Sequence, residues 1–128
     1  MYRATTPQHR FEFPAELPPM EQQIIRMAYK QGEMLILMKE YDLTDTESYQ
    51  IVPTENDGTA YVFKDCRMEG AYMTIRLTQE ETKLFDANKT VKIQARILTA
   101  RSEVIASDYI TVPVKDVLED DIITEREA

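Results

Sequence analysis

Strict two-residue alternation restricts this chain more than any other feature. In "VKIQARIL", Val91, Ile93, Ala95 and Ile97 take every second position. In "AYMTIRL", Met73, Ile75 and Leu77 do the same, with Tyr72, Thr74 and Arg76 between them. A period of two suits a pleated strand with one dry face. An amphipathic helix needs apolar residues three and four apart. "IIRMAYK" repeats the pattern with Ile25, Met27 and Tyr29, and the apolar run "MLILMKE" follows after Gln31-Gly32-Glu33. That order predicts a β-hairpin with Gly32 in its turn.

Between two of the alternating segments lies "LTQEETKLFDANKT". Thr78 and Glu81 have the Thr-x-x-Glu spacing of a capping box, in which each side chain satisfies an orphan amide of the other. Glu80 and Glu81 also suit the positive end of the helix dipole. The insert is therefore expected to be one or two helical turns that reverse the chain. Leu84 and Phe85 would fold back onto the sheet edge, and Asn88 would complete the reversal. The glutamates then have a structural role and need no catalytic one.

Further short strands are expected at "RFEF", with Phe11 and Phe13 on one face, at "SYQIV", at "TAYVFKDC" and at "VIASDYITVPV". Pro18 and Pro19 hold a linker extended. Asn56-Asp57-Gly58 and "TARSE" are turn signals. About seven strands with turns between them predict an all-β fold, an immunoglobulin-like antiparallel β-sandwich with one short helical turn. The expected organisation is an arm over residues 1–10, a sandwich over 11–114 and an acidic tail over 115–128, the last as a short helix or an irregular segment.

Composition narrows the function. With 128 residues and 43% hydrophobic content, one domain can bury one core. A net charge of −8 disfavours binding to nucleic-acid phosphates or to anionic lipid. The single cysteine, Cys66, has no internal disulfide partner and suits folding in a reducing cytoplasm. No apolar leader stands in "MYRATTPQHRFEF", and the longest strongly apolar run, "MLILM", is far short of a membrane span.

Chemistry-bearing residues are sparse. His9 is the only histidine and sits in the expected arm, a poor place for a general base. Cys66 stands beside Asp65, whose charge opposes thiolate formation. One His and one Cys cannot build the usual zinc clusters. Asp42, Asp45, Glu47 and Asp57 lack calcium-loop spacing. Gly32, Gly58 and Gly70 form no phosphate-binding loop. No catalytic residue, cofactor site or metal site is expected, and the chain is not expected to be an enzyme. The tail is the least ordinary element. Val117, Leu118, Ile122 and Ile123 form an apolar stripe among acids, and Val117, Leu118 and Ile122 are the expected protein contacts, together with Phe11 and Phe13.

The order of motifs resembles a known group. "TTPQHRFEFP", then "IIRMAYKQGEMLILMKE", then "MTIRLTQEETKLFDANKTVKIQARILTARSEVIASDYITVPVKDVLEDDI" is similar to small, mostly uncharacterised proteins of tailed phages and prophages of Firmicutes. The layout also resembles the N-terminal β-sandwich domain of phage baseplate upper proteins. The resemblance implies a non-catalytic virion structural protein of the tail, baseplate or head surface. It would be made in the bacterial host cytoplasm and end in the virion. Its partners would be other virion proteins or copies of itself, in a homo-oligomer or larger assembly, with no nucleic acid and no membrane. The alternative reading is a small acidic adaptor or inhibitor that binds a host protein.

Overall fold

The computed structural model describes residues 1–12, 23–55, 58–70, 72–99, 102–107 and 109–124. Among these residues ten strands and one helical turn follow one another: β1 (Gln8–Glu12), β2 (Ile24–Gln31), β3 (Met34–Asp42), β4 (Gln50–Pro53), β5 (Thr59–Val62), β6 (Cys66–Glu69), β7 (Tyr72–Arg76), α1 (Gln79–Thr82), β8 (Thr90–Leu98), β9 (Val104–Ala106) and β10 (Ile110–Pro113). The first sheet has the order β1-β7-β6-β5-β4. The second has the order β10-β8-β2-β3, with β9 also paired to β8. All strand pairs are antiparallel. The molecule is an all-β sandwich.

The alternation becomes burial. Ile25, Met27 and Tyr29 of β2 and Val91, Ile93, Ala95 and Ile97 of β8 point into the core from the second sheet. Phe11, Cys66, Met68, Met73 and Ile75 meet them from the first. Each fully buried aliphatic side chain contributes about 1.5–3 kcal/mol of transfer free energy, so this interior dominates stability. Gly32 and Gly70 both take φ of +58° and open two-residue hairpin turns, Gln31↔Met34 and Glu69↔Tyr72 being the closing pairs. Positive φ there matches the turn to the strand twist, which glycine permits without strain.

The insert between β7 and β8 folds as its capping box requires. Glu81 N–H donates to Thr78 Oγ1 at 3.1 Å, and Thr78 N–H donates to Glu81 Oε1 at 2.8 Å. After a single turn Phe85 enters the core edge-on to Tyr29, with ring centroids 6.0 Å apart. Leu84, expected beside it on the sheet, is exposed instead. Asn88 takes φ of +64° at the reversal.

Several expectations are redrawn. "TAYVFKDC" divides into β5 and β6, because a bend at residues 63–65 lets Phe63 N–H reach the Cys66 carbonyl at 2.7 Å. "VIASDYITVPV" divides into β9 and β10. At the break, Ala95 N–H donates to Ser107 Oγ (3.0 Å) and Ser107 N–H donates to the Ala95 carbonyl (2.9 Å), so the β8 ladder stays satisfied. The arm expected over residues 1–10 is tied down: Gln8–Arg10 belong to β1, and Arg3 N–H donates to the Lys115 carbonyl. Residues 115–124 form no helix, because their backbone groups pair with Met1, Arg3 and the Gln79 side chain. Phe13, the Pro18-Pro19 linker and Asn56-Asp57 lie outside the described residues.

Candidate protein-contact surface

The residues with chemical potential are held inside the fold. His9 faces the core from β1 opposite Ile75, and Ile75 is opposite Cys66 on β6. Burial lowers the His9 pKa from its ordinary value of 6.5, and the positive N-terminus lowers it further. Burial pushes the Cys66 thiol well up, as does the neighbouring Asp65 charge, so it is a poor nucleophile near neutral pH. Tyr29 and Tyr41 are raised in the same way, by burial first and by nearby carboxylates second.

One polar cluster ties the layers together at the β3 edge. Lys39 of β3 pairs with Asp65, in the bend between β5 and β6, and with Glu81 of α1 at 3.0 Å. Tyr41 Oη donates to the same Asp65 at 3.2 Å. The lysine charge is matched by two carboxylates. This geometry suits a structural brace rather than a proton-transfer site. Among the described residues, no three His, Cys, Asp or Glu converge as a metal site.

Several large apolar side chains remain outside the core. Among the described residues β3 is a sheet edge paired only with β2, and Met34, Leu35 and Met38 are exposed on it, Met34 at 70%. α1 lies against this hairpin through the Lys39–Glu81 pair. The Gln31 side chain also holds Asp86, accepting its N–H at 2.7 Å and donating to its carbonyl at 2.9 Å. Leu84 is exposed between these two ties.

On its other side α1 holds the C-terminal segment. Gln79 accepts Ile123 N–H at 2.8 Å and donates to the Ile123 carbonyl at 2.8 Å. Arg3 pairs with Asp116 at 3.0 Å, approaches Asp120 at 3.9 Å and donates to the Lys83 carbonyl at 3.2 Å. The segment is thus attached through backbone and carboxylate groups, which frees its apolar side chains. Leu118 is fully exposed and Ile123 nearly so, whereas Val117 and Ile122 are half-buried.

No known protein family, curated protein or solved structure matches this chain.

Of the contacts expected from sequence, Leu118 is the most available. Phe11 is not available: it is 3% exposed, opposite Met73 in the core, because the whole inward face of β1 is covered. Met34, Leu35 and Met38 were missed as surface residues. Their apolar run reads equally well as a strand buried on both faces, and only the edge position of β3 exposes it. β3 carries the exposed Met34, Leu35 and Met38, with Met38 on the same outward face as Glu40, while Leu84 follows α1 and Leu118 and Ile123 lie on the C-terminal segment. Large exposed apolar residues of this kind are candidates for protein association.

Proposed function

We propose that this chain is a non-catalytic structural protein of a phage particle, in the tail, baseplate or head surface, acting through protein–protein contacts. The observation that carries the reading is the placement of side chains. The histidine, the cysteine and the interior tyrosines are enclosed in the core, while large apolar residues are exposed along β3, after α1 and on the C-terminal segment. The motif order set out above connects that surface with particle assembly. Among the described residues no helix is long and apolar enough to cross a membrane.

Mass spectrometry of purified particles from a strain that carries the gene tests the proposal. The expected result is the chain present in stoichiometric proportion to other particle proteins. Absence from particles, with the chain abundant in the producing cells, contradicts it. The net charge of −8 favours the acidic adaptor as the second reading, and a stable complex with one host protein would be its sign.

A further inference from the structure

The outer face of the second sheet carries a shallow recess of about 230 Å³ lined by Ile24, Arg26, Glu40, Arg96, Leu98 and Val104. The strand register explains its composition. One row across the sheet is apolar, Val104 opposite Leu98 and Leu98 opposite Ile24. The neighbouring row is charged, Arg96 opposite Arg26 and Arg26 opposite Glu40. Like charges directly across a strand pair are unfavourable unless countered. Glu40 counters Arg26 at 2.5 Å, but among the described residues Arg96 forms no ion pair. Asp42, at the end of the apolar row, is engaged by the Thr44 N–H and hydroxyl. The recess therefore presents an apolar floor and one uncompensated cation.

The same molecule displays the complement. Leu118 is fully exposed, and Glu119 and Asp121, both exposed, follow it in the acidic stretch "LEDD". The recess and this segment lie on different faces. Arg26, Arg96 and Glu40 point outward from the second sheet, whereas α1, which holds the segment, is reached by Lys39 from the inner face. The chain leaves its own recess unfilled by its own Leu118.

We infer that the recess between β2, β3, β8 and β9 receives the C-terminal segment of a second copy, with Leu118 on the Ile24–Leu98–Val104 floor and the carboxylate of Glu119 or Asp121 on Arg96. The choice of occupant follows from charge. Against the net charge of −8 that two copies share, the unpaired Arg96 beside an apolar floor locally favours a carboxylate next to an apolar side chain, and this chain supplies one. The two surfaces differ, so the contact is head-to-tail. Repetition closes into a ring or extends as a filament, depending on the rotation between copies. This inference rests on the reading of the chain as an assembly module and names its first contact.

Sedimentation velocity over a concentration series up to the millimolar range tests it, with two surface variants whose folding is checked by circular dichroism. Leu118→Asp removes the knob and Arg96→Glu reverses the recess. The wild type is expected to associate, and each variant alone to associate at least about tenfold more weakly. An equimolar mixture of the two variants is expected to form a one-to-one complex, because one chain keeps its recess and the other its knob. Adding Glu119→Arg to Arg96→Glu is expected to restore association. A wild type that stays monomeric, variants that associate like the wild type, or a mixture that forms no complex would each overturn the contact. So would tight binding of a different particle protein at the recess that Leu118→Asp leaves unchanged. If the chain is found in purified particles while the wild type stays monomeric, the assembly role stands and this contact alone fails.

Discussion

Tyr29 and His9 show what it costs to place polar groups among apolar ones. The Tyr29 hydroxyl is buried and has no hydrogen-bond partner among the described residues. An unmet buried hydroxyl costs about 1–3 kcal/mol, whereas a ring of the same shape without it keeps the packing on Phe85. Tyr29→Phe is therefore expected to leave stability unchanged or to raise it by about 1 kcal/mol, read as a higher urea midpoint. A loss of more than about 1 kcal/mol would show that the hydroxyl is bonded. His9 makes stability depend on pH. Its pKa in the folded chain lies below 6.5, so the unfolded chain binds the proton more readily. Stability from this group is complete above 6.5 and is lost as the pH falls through the lowered folded value. Urea midpoints measured from about pH 7.5 to about pH 5 are expected to fall more for the wild type than for His9→Gln. Equal slopes would exclude His9 as a contributor.

Elements differ in how openly the sequence declares them. The start of α1 was legible, because a capping box is local chemistry that needs nothing from the rest of the fold, whereas its end at Thr82 and the exposure of Leu84 were not. β2, β7 and β8 were legible because one side of each is covered and the other is not, which writes a period of two into the sequence. β3 was legible as a strand but not as an exposed one. Its apolar run carries no period, and its edge position is a property of the assembled sheet. The divisions at residues 63–65 and at Ser107 were not legible either. They depend on a cross-strand substitute, such as the Ser107 hydroxyl that accepts Ala95 N–H, and no local motif marks that arrangement. The sequence left the C-terminal segment open between a short helix and an irregular tail. Gln79 and Arg3 provide partners for its backbone and carboxylates from outside, and the irregular form results.

At the scale of the whole molecule, β3 carries apolar side chains with two features that limit uncontrolled strand pairing. A register irregularity interrupts its pairing with β2 at Tyr29/Lys30, and Lys39 points inward into the Asp65–Glu81 brace. Bulges and inward charges both blunt a sheet edge against open-ended pairing. The surface is thus suited to side-chain docking of a specific partner rather than to aggregation, and the high net charge works in the same direction. The central claim is that this surface, and not an enclosed site, is where the protein acts. Site-specific photo-crosslinking from Leu118 during particle assembly tests it most directly, with Thr111 on β10 as the control position. The account predicts crosslinks from Leu118 to another copy of this chain or to a structural protein of the particle, and few from Thr111. Crosslinks of equal, low yield from both positions, in cells that assemble particles normally, would contradict it.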